Sequence, residues 1–389
     1  MIMETVVLNR TSRLLAGHLW VFSNELKDSP KAFTPGAIVE LRDRKGVYLG
    51  KGYINPHSLI AVRVLTRGKE EIDRSFFRAR IENALAYRRR FIEGQSFRVV
   101  FSEADGLPGL VVDKYGDCLS IQVLTLGMEG WTDVITGLLD EIFDPKVMVL
   151  RNDSSARALE GIALEKKVIK GGLEELPRME ENGCVLEVDP ISGQKTGLFL
   201  DQRENRTEFS RLASGGEKAL DLFSYTGAWA INLAKMGVTV TGVDASEGAV
   251  AQARRNAELN GLADSCEFVK ANVFDFVKKD LAAGAAYDMI VLDPPAFVKS
   301  KSKVREGLRS YRELNGACMS MLKGGGLFAT STCSYHVDRN TFLDLLRDAA
   351  RDAGKTARII EVRSQARDHP IALSVPETEY LKCVIAEVR

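Results

Sequence analysis

The second half of the chain alternates short apolar runs with amphipathic helical patterns. The apolar runs predict strands at 219–223, 238–243, 266–270, 289–292, 327–332, 359–362 and 381–388. A helix is predicted at 246–260, because Ser246 is a favourable N-cap and Gly261 favours a left-handed stop. This alternation indicates an α/β fold with a doubly wound, mostly parallel, Rossmann-like sheet of seven strands.

The first half of the chain has a different pattern. Between residues 6 and 67, short β-like runs are separated by turn signals such as Pro35-Gly36, which predicts a small β-barrel-like module. A second β-rich stretch carries one predicted helix, at 131–142, and is interpreted as an α+β unit. The predicted boundaries are 1–72 for the β module, 73–94 for a connecting helix, 95–182 for the α+β middle domain and 183–389 for the doubly wound domain.

The connecting helix is basic. The face of this helix away from its apolar residues carries six arginines and only two acidic residues, Asp73 and Glu82. One interpretation is a solvated linker helix. The other is a surface that contacts phosphates, in which Arg88, Arg89 and Arg90 would bind the substrate.

Composition limits the choice of partners. The chain of 389 residues carries 53 Lys and Arg against 53 Asp and Glu, so any polyanion site must be a local patch. Six cysteines without a closely spaced pair favour thiols in a reducing compartment over disulfides or a metal site. Because no apolar run of about 18 residues occurs, we expect a soluble, cytoplasmic protein with no membrane partner.

Polar residues follow successive strands of the predicted sheet, where ligands bind in doubly wound folds. The segment Asp221-Leu-Phe-Ser-Tyr-Thr-Gly227 has one glycine where a dinucleotide fingerprint has three, which argues against a nicotinamide oxidoreductase. Asp244, at the end of the next strand, could accept both hydroxyls of a ribose, or it could only cap the helix that follows. Asn272 follows the third strand and could read an adenine edge. These strand ends favour a nucleoside cofactor.

Four short segments carry a family resemblance: Asp221 to Gly227, Val243-Asp-Ala-Ser246, Asp293-Pro-Pro295 and Thr332-Cys-Ser334. Together they resemble class I S-adenosylmethionine-dependent RNA methyltransferases, and more narrowly the bacterial 23S rRNA cytosine-C5 methyltransferases with an N-terminal PUA domain. The similarity extends over the whole chain, through Gly17-His-Leu-Trp-Val-Phe-Ser23, Glu103-Ala-Asp-Gly-Leu-Pro-Gly109, Ser192-Gly-Gln-Lys-Thr-Gly-Leu-Phe-Leu-Asp-Gln-Arg203 and Asp368-His-Pro370.

The resemblance implies S-adenosyl-L-methionine as cofactor and large-subunit ribosomal RNA as partner, and related proteins suggest a homodimer. It also implies that Lys195, Thr196, Gln202 and Arg203 help to close the cofactor pocket, whereas the residues alone indicate a Gly-containing turn leading into a helix. The predicted cofactor-binding residues are Lys195, Thr196, Gln202, Arg203, Asp221, Phe223, Tyr225, Thr226, Gly227, Asp244, Ser246, Asn272 and Asp293.

The segment Asp293-Pro-Pro-Ala-Phe297 ends the fourth strand and suits a flipped-out nucleobase. Its prolines hold an extended turn and leave carbonyls free to accept hydrogen bonds, so Pro294 and Pro295 are predicted to bind the substrate. Asp293 could bind the polar edge of the base while Phe297 stacks on the ring. A structural turn without function is the alternative.

Cys333 directly follows the strand 327–332. A cysteine thiolate is well suited to add to C6 of a pyrimidine and so activate C5 for methyl transfer, after which a base must remove the C5 proton. The alternative, a buried small apolar residue, is accepted for the other five cysteines, at 118, 184, 266, 318 and 383. Cys333 and Asp293 are the candidate catalytic residues.

One position departs from many RNA cytosine-C5 methyltransferases, which have a second cysteine after the paired prolines. This chain has Ala296 there, and the PUA-bearing family is similar in lacking the second cysteine. The proton-abstracting base is left open between Asp293, His369 and a water, and His336 could instead tune the thiol. The other functional hypotheses are guanine N-methylation, which needs no covalent cysteine, and a non-catalytic RNA-binding protein that keeps the fold.

Overall fold

The computed structural model describes residues 3–298 and 300–389. The chain forms two compact units, and each is built from separated stretches of sequence. The first unit comprises Met1–Met179, Val188–Leu200 and Arg367–Thr378. The second comprises Glu180–Glu187, Asp201–Ala366 and Glu379–Arg389.

The first unit starts with a five-stranded sheet and one short helix. Its elements are β1 (Glu4–Leu8), α1 (Ser12–Leu15), β2 (Trp20–Val21), β3 (Ile38–Asp43), β4 (Tyr48–Ile54) and β5 (Val62–Thr66), with strand order β1-β3-β4-β5-β2. Alternate residues of β3, Val39 and Leu41, enter an apolar core with Val6 and Val62. This sheet is the predicted β module.

A long helix and a second sheet follow. Helix α2 (Arg74–Phe91) begins after Asp73, whose carboxylate accepts the amide hydrogen of Phe76 at 3.0 Å. The further elements are β6 (Phe97–Phe101), β7 (Leu110–Tyr115), β8 (Cys118–Val123), α3 (Leu126–Glu129), α4 (Thr132–Phe143), β9 (Val147–Asn152), α5 (Ser155–Glu160) and β10 (Glu165–Lys170). Their sheet has the order β10-β9-β8-β7-β6.

Part of the first sheet also packs into the apolar core of the second sheet. Tyr53 of β4 packs in it with Phe77 and Ile81 of α2, and the Tyr53 hydroxyl donates to the carbonyl of Pro108 at 2.8 Å. The β module, the connecting helix and the middle domain, which the sequence pattern separates, therefore lie within a single compact unit.

The second unit contains a seven-stranded sheet with helices. A hairpin of β11 (Arg178–Glu181) and β12 (Cys184–Glu187) precedes it. The remaining elements are α6 (Arg203–Ser210), β13 (Lys218–Leu222), α7 (Ala228–Ala234), β14 (Thr239–Asp244), α8 (Glu247–Leu259), β15 (Cys266–Lys270), α9 (Val273–Ala282), β16 (Tyr287–Leu292), α10 (Val304–Met321), β17 (Leu322–Thr332), α11 (Arg339–Asp352), β18 (Ala357–Arg363) and β19 (Lys382–Val388).

The strand order of this sheet is β15-β14-β13-β16-β17-β19-β18. The first five strands are parallel, and β19 runs antiparallel to both β17 and β18. The predicted Rossmann-like sheet is thus confirmed. Ser246 caps α8 by accepting the amide hydrogen of Ala249, and Gly261 after the helix has φ of +67°, as predicted.

Apolar cores cover both faces of the sheet. Side chains of β13 alternate between the two faces. Leu220 and Leu222 enter one core, whereas Ala219 enters the other core with Phe268. Gly227 faces the second core, where an added Cβ would lie 2.8 Å from the ring of Phe268, and its φ of +82° also favours glycine. Since β13, β14, β16 and β17 are parallel neighbours, their carboxyl ends meet at one edge of the sheet.

The helices of the described residues include none with both the length and the apolar character that crossing a membrane requires.

Candidate active site

The loop after β13 has an unusual backbone. Phe223 and Tyr225 adopt left-handed φ values of 63° and 49°, which are costly for residues with a side chain. The backbone amide of Tyr225 donates to Asp244 at 3.0 Å, which holds the loop against the end of β14. Such a strained turn, fixed by a neighbouring strand end, is typical of a binding loop.

The same loop buries polar atoms without satisfying them. Asp221 Oδ1, Ser224 Oγ and Thr226 Oγ1 have no hydrogen-bond partner in the part of the chain that the structure describes. The second oxygen of Asp221 accepts the amide hydrogen of Ala230 at 3.1 Å. Each unsatisfied buried group costs about 1–3 kcal/mol unless a ligand or water compensates. The loop therefore fits a polar ligand such as the predicted cofactor.

The electrostatics of the loop favour a positively charged group. Burial raises the pKa of Asp221 to about 8, and the nearby charge of Asp293 acts in the same direction. A cationic ligand would relieve both effects by stabilising the carboxylates. S-adenosylmethionine carries a sulfonium and an ammonium, so its chemistry matches the site.

Asp244 and Asn272 both make the local contacts of helix caps and turns. Asp244 accepts the amide hydrogens of Tyr225 and Ser246, one on each oxygen. Asn272 is exposed, and its side-chain oxygen accepts the amide hydrogen of Phe274 at 2.9 Å at the start of α9. Carboxylate oxygens have further lone pairs, so the ribose contact of Asp244 stays a prediction, as does the adenine contact of Asn272.

Asp293 is fixed by two side chains from elsewhere in the second unit. Gln202 Nε2 donates to Asp293 Oδ1 at 2.9 Å and to Ser331 Oγ at 3.0 Å, which links the ends of β16 and β17. Trp229 Nε1 donates to Asp293 Oδ2 at 3.2 Å. Burial raises the pKa of Asp293, and the hydrogen bond from Trp229 opposes that shift.

Trp229 was not among the predicted site residues. A usable signal existed, because tryptophan N–H groups usually find an acceptor when buried, and this tryptophan lies two residues after Gly227.

Cys333 lies one residue beyond β17. It is half-buried and flanked by the buried Thr332 and Ser334. The register of β16 and β17 pairs Leu292 with Thr330, so the next residues, Asp293 and Ser331, lie side by side at the same edge. Cys333 follows Ser331 by two residues, so it belongs to the same edge of the sheet as Asp293.

The other cysteines are more shielded or lie elsewhere. Cys118, Cys184, Cys318 and Cys383 are buried, and Cys266 is half-buried in β15 at the far edge of the sheet. Burial raises the pKa of Cys118, Cys266 and Cys383 to about 12. These five keep the structural interpretation.

A tyrosine that the sequence did not single out organises the surroundings of Cys333. The hydroxyl of Tyr311 contacts the hydroxyls of Thr332 and Ser334 at 2.9 and 3.0 Å, on either side of the cysteine. It also accepts the amide hydrogen of Phe297 at 3.4 Å. One hydroxyl thus ties the proline loop to the strand end that carries Cys333.

The aromatic ring of Phe297 lies in a cluster. Its centroid is 4.6 Å from Tyr311, 5.8 Å from Phe274 and 6.1 Å from Phe223. The side chain is half-buried, next to the exposed Pro295 and the buried Pro294. Its predicted stacking on a nucleobase stays a prediction.

Lys195 and Thr196 belong to the first unit rather than to the unit with the strand ends. Lys195 has φ of 50°, and its ammonium lies 4.5 Å from the ring centroid of Phe199. Thr196 is fully buried, and its hydroxyl bonds to Asp113. The half-buried Arg203 begins α6 of the second unit. Their roles in the cofactor pocket stay predictions.

His369 is also part of the first unit and is 2% exposed. Its Nδ1 lies 2.8 Å from Asp368 Oδ1, and its ring packs 5.3 Å from that of Phe101. His336, the other histidine considered for the chemistry, is half-buried three residues beyond Cys333 in the second unit.

The structure contradicts the phosphate contact predicted for Arg88. This side chain is 0% exposed, donates to both oxygens of Asp105 at 2.5 and 2.8 Å, and also donates to the carbonyls of Arg98 and Asp368. Arg88 lies on the apolar stripe of α2, where a phosphate has no access. Arg89 and Arg90 are exposed.

Comparisons with known proteins agree with this geometry. Residues 6–67 match a PUA-like domain, and residues 151–370 match an S-adenosylmethionine-dependent methyltransferase family. The second match spans more than half of the chain, and it confirms the predicted cofactor class.

Two solved structures share the fold over nearly the whole chain. An S-adenosylmethionine-dependent methyltransferase-like protein from Streptococcus mutans is 21% identical, with a TM-score of 0.84 and coverage of 99% of this chain and 100% of that one. A methyltransferase-like protein complexed with SAH is 21% identical, with a TM-score of 0.85 and coverage of 100% of both chains. At this identity the likeness shows the fold alone.

Curated relatives are closer in sequence. The ribosomal RNA large subunit methyltransferase I of Shewanella denitrificans is 38% identical over 95% of this chain and 95% of its own length. The protein of the same name from Aeromonas salmonicida is 37% identical over 99% and 98%. The chain therefore belongs to the ribosomal RNA large subunit methyltransferase I family, a group of S-adenosylmethionine-dependent methyltransferases.

Proposed function

We propose that this protein methylates C5 of a cytosine in large-subunit ribosomal RNA through a covalent bond to Cys333. The observation that supports this most is the half-buried thiol directly beyond β17, at the sheet edge that also carries Asp293. The names of the curated relatives support the class of RNA. The buried unsatisfied atoms after β13 support a cofactor site in the same unit.

The chemistry of C5 explains the need for a thiol. C5 of a pyrimidine is a weak nucleophile, but addition of a thiolate to C6 forms an S–C6 bond and makes C5 electron-rich. When bound, S-adenosylmethionine supplies a methyl group from its sulfonium. After C5 has taken that methyl group, a base removes the C5 proton, the S–C6 bond breaks, and the sulfur of Cys333 leaves as a thiolate.

Asp293 suits the recognition of the base edge. Gln202 and Trp229 hold both of its oxygens, so the carboxyl group is oriented before RNA arrives. Because burial raises its pKa, the protonated form is more populated than for an ordinary aspartate. A carboxyl group that can donate and accept matches the amino group and ring nitrogen of cytosine.

The proposal also includes RNA contacts outside the second unit. Arg89 and Arg90 are exposed at the end of α2, where they can contact phosphates, and Arg88 is excluded because it is buried. The PUA-like module is the other candidate RNA surface.

We extend the proposal to a cytoplasmic homodimer. Strand β18 lies at the edge of its sheet, and its residues Ile359, Ile360 and Val362 are 53%, 44% and 37% exposed. An exposed apolar edge strand readily pairs with a second chain. Light scattering that gives the mass of one chain at micromolar concentration would contradict the homodimer.

The covalent route is tested by replacing the nucleophile. Cys333→Ala should abolish methylation of large-subunit RNA, measured as 5-methylcytidine by mass spectrometry of nucleosides. RNA with 5-fluorocytidine should trap a denaturant-resistant adduct with the unmodified protein. Fluorine replaces the hydrogen at C5, so a base has no C5 proton to remove and the S–C6 bond cannot break.

The matched control is Cys266→Ala, since Cys266 is also half-buried but lies at the opposite edge of the sheet. This variant should keep full activity. Undiminished methylation by Cys333→Ala, or a methylated guanine as product, would exclude the covalent cytosine mechanism.

A further inference from the structure

The most exposed aromatic side chain of the described residues lies directly beyond the candidate nucleophile. Tyr335 is 59% exposed, whereas the other exposed aromatic side chains, those of Tyr87, Phe91 and Phe274, are 39–41% exposed. Because Tyr335 follows Cys333 by two residues, their Cα atoms are about 7 Å apart at most. A single exposed ring is ordinary on a protein surface, so the case for a function depends on how this ring is held and on what lies beside it.

The backbone that carries Tyr335 is fixed at both ends. Tyr335 and His336 are the central residues of a tight turn, in which the amide of Val337 donates to the carbonyl of Ser334 at 3.1 Å. Ser334 and Val337 are both 0% exposed, and Val337 belongs to the apolar core. The turn is therefore anchored on buried residues while it presents the Tyr335 ring to solvent.

The same turn is bonded to the proline loop. Ser334 Oγ accepts the amide hydrogen of Val298 at 3.3 Å. Phe297 directly precedes Val298, and Tyr335 directly follows Ser334. The two aromatic residues therefore lie next to the two ends of one hydrogen bond, Phe297 half-buried and Tyr335 exposed. Since Phe297 is the predicted contact of the flipped-out base, Tyr335 is suited to a nucleotide that stays outside.

The Tyr335 ring keeps a surface on which a base can stack. Its centroid is 5.2 Å from that of His336, and the two ring planes are 75° apart. Such an edge-to-face contact uses at most one face of the tyrosine ring, so His336 leaves the other face uncovered. Every nucleobase has a π-face, and stacking on an exposed aromatic side chain is a common way to hold unpaired RNA.

We infer that Tyr335 stacks on an unpaired nucleobase next to the cytosine that is methylated. The inference rests on the proposed function, and it adds a contact to a second nucleotide of the RNA. Flipping the cytosine out of its strand removes a stacking partner from each neighbouring base. The Tyr335 ring replaces that partner at the mouth of the site and so stabilises the RNA in its flipped-out form.

The first test measures the kinetics of methylation with an in vitro transcript of 23S ribosomal RNA. Tyr335→Ala should raise KM about 5- to 150-fold, the equivalent of one base–aromatic stack. It should leave kcat nearly unchanged, because the stack is present in the ground state and in the transition state alike. Tyr335→Phe keeps the ring and should keep the KM. An equal increase for both variants would assign the effect to the hydroxyl and overturn the inference.

The second test detects the contact itself. Ultraviolet irradiation of the full-length protein with the same transcript should crosslink Tyr335 to a nucleotide, and fragmentation of the peptide by mass spectrometry locates the crosslinked residue. A tyrosine that only supported the local structure would give no such product. The measurement is made with Cys333→Ala protein, so that it does not depend on a covalent bond to the cysteine.

The matched control is Leu281→Ala, which removes another exposed apolar side chain of the second unit. Leu281 is 42% exposed and lies near the end of α9, about 12 Å along the axis from the start of that helix at the carboxyl edge of the sheet. This variant should keep the KM of the unmodified protein. Calorimetry should give the same Kd for S-adenosylmethionine with every variant, which reports an intact fold, and Tyr335→Leu replaces the alanine variant if that one is unfolded.

An unchanged KM in folded Tyr335→Ala or Tyr335→Leu would overturn the inference, as would crosslinks that all lie at other residues. Failure of the proposed function gives different results, namely no 5-methylcytidine from the unmodified protein or retained methylation by Cys333→Ala. The two failures are therefore distinguishable.

Discussion

One buried polar cluster in the first unit, around Arg98 and Asp113, and the cluster after β13 in the second unit differ in how completely their hydrogen bonds are satisfied. In the first unit, Arg98 donates two hydrogen bonds to Asp113, at 2.8 and 2.7 Å, and Asp113 is 0% exposed. Arg88 and Asp105 form a second bidentate pair beside it. In both pairs a carboxylate compensates the charge of the guanidinium, and the two parallel hydrogen bonds fix the orientation of the guanidinium.

In the second unit, the cluster after β13 is incomplete. Asp221, Ser224 and Thr226 each bury an atom that has no partner within the described residues. A fold that kept such groups only for stability would do better with apolar side chains of similar size. The comparison indicates that the complete cluster supports the first unit, whereas the incomplete one is reserved for a ligand.

The largest expected effect comes from breaking the complete cluster. Asp113→Ala leaves the Arg98 guanidinium buried without its carboxylate, so the free energy of unfolding should fall by about 3–5 kcal/mol in urea denaturation. Glu141→Ala removes exposed pairs with Arg74 and Arg78 and should change little. A loss below about 1 kcal/mol for Asp113→Ala would show that the cluster does not hold the first unit together.

A smaller, pH-dependent effect is expected in the incomplete cluster. Because the folded pKa of Asp221, about 8, lies above the unfolded value, stability is greatest in acid and is lost as pH rises toward 8. Asp221→Asn mimics the protonated group and should lack this loss, so the variant should gain up to about 4 kcal/mol relative to the wild type between pH 5 and 8. Parallel pH profiles of unfolding free energy would contradict the raised pKa.

The smallest effect should separate binding from stability. Thr226→Val keeps the shape of the side chain but removes its unsatisfied hydroxyl, so the melting temperature of the cofactor-free protein should not fall. If that hydroxyl bonds the cofactor, the Kd for S-adenosylmethionine should rise about 3- to 12-fold in calorimetry, the equivalent of one hydrogen bond. An unchanged Kd would remove Thr226 from the predicted cofactor contacts.

The sequence predicted the sheet of the second unit well, for a physical reason. Strands covered on both faces are nearly continuous apolar runs, so polar residues such as Asp244 and Asp293 mark their ends. Because neighbouring strands are parallel, their carboxyl ends lie at one edge of the sheet, and the sequence pattern alone is enough to predict this. The positions of the candidate residues along the sheet edge follow from this pattern.

The contacts between side chains of distant elements could not be predicted in the same way. Gln202 and Trp229 meet Asp293 across 91 and 64 residues, and a periodic pattern does not say which side chains meet. Arg88 is different, because a signal was present. It lies three and four residues after the buried Leu85 and Ala84, on the apolar stripe of α2, but the run of arginines obscured its position.

The late segment Arg367–Thr378 affects how the protein can be made. Asp368 accepts hydrogen bonds from Arg98 and Arg88, which precede it by 270 and 280 residues. During synthesis the first unit therefore stays incomplete until residues 367–378 have left the ribosome, and β19 of the second unit emerges directly afterwards. Both units should reach their final packing almost together, and a nascent chain stopped before residue 367 should contain neither in finished form.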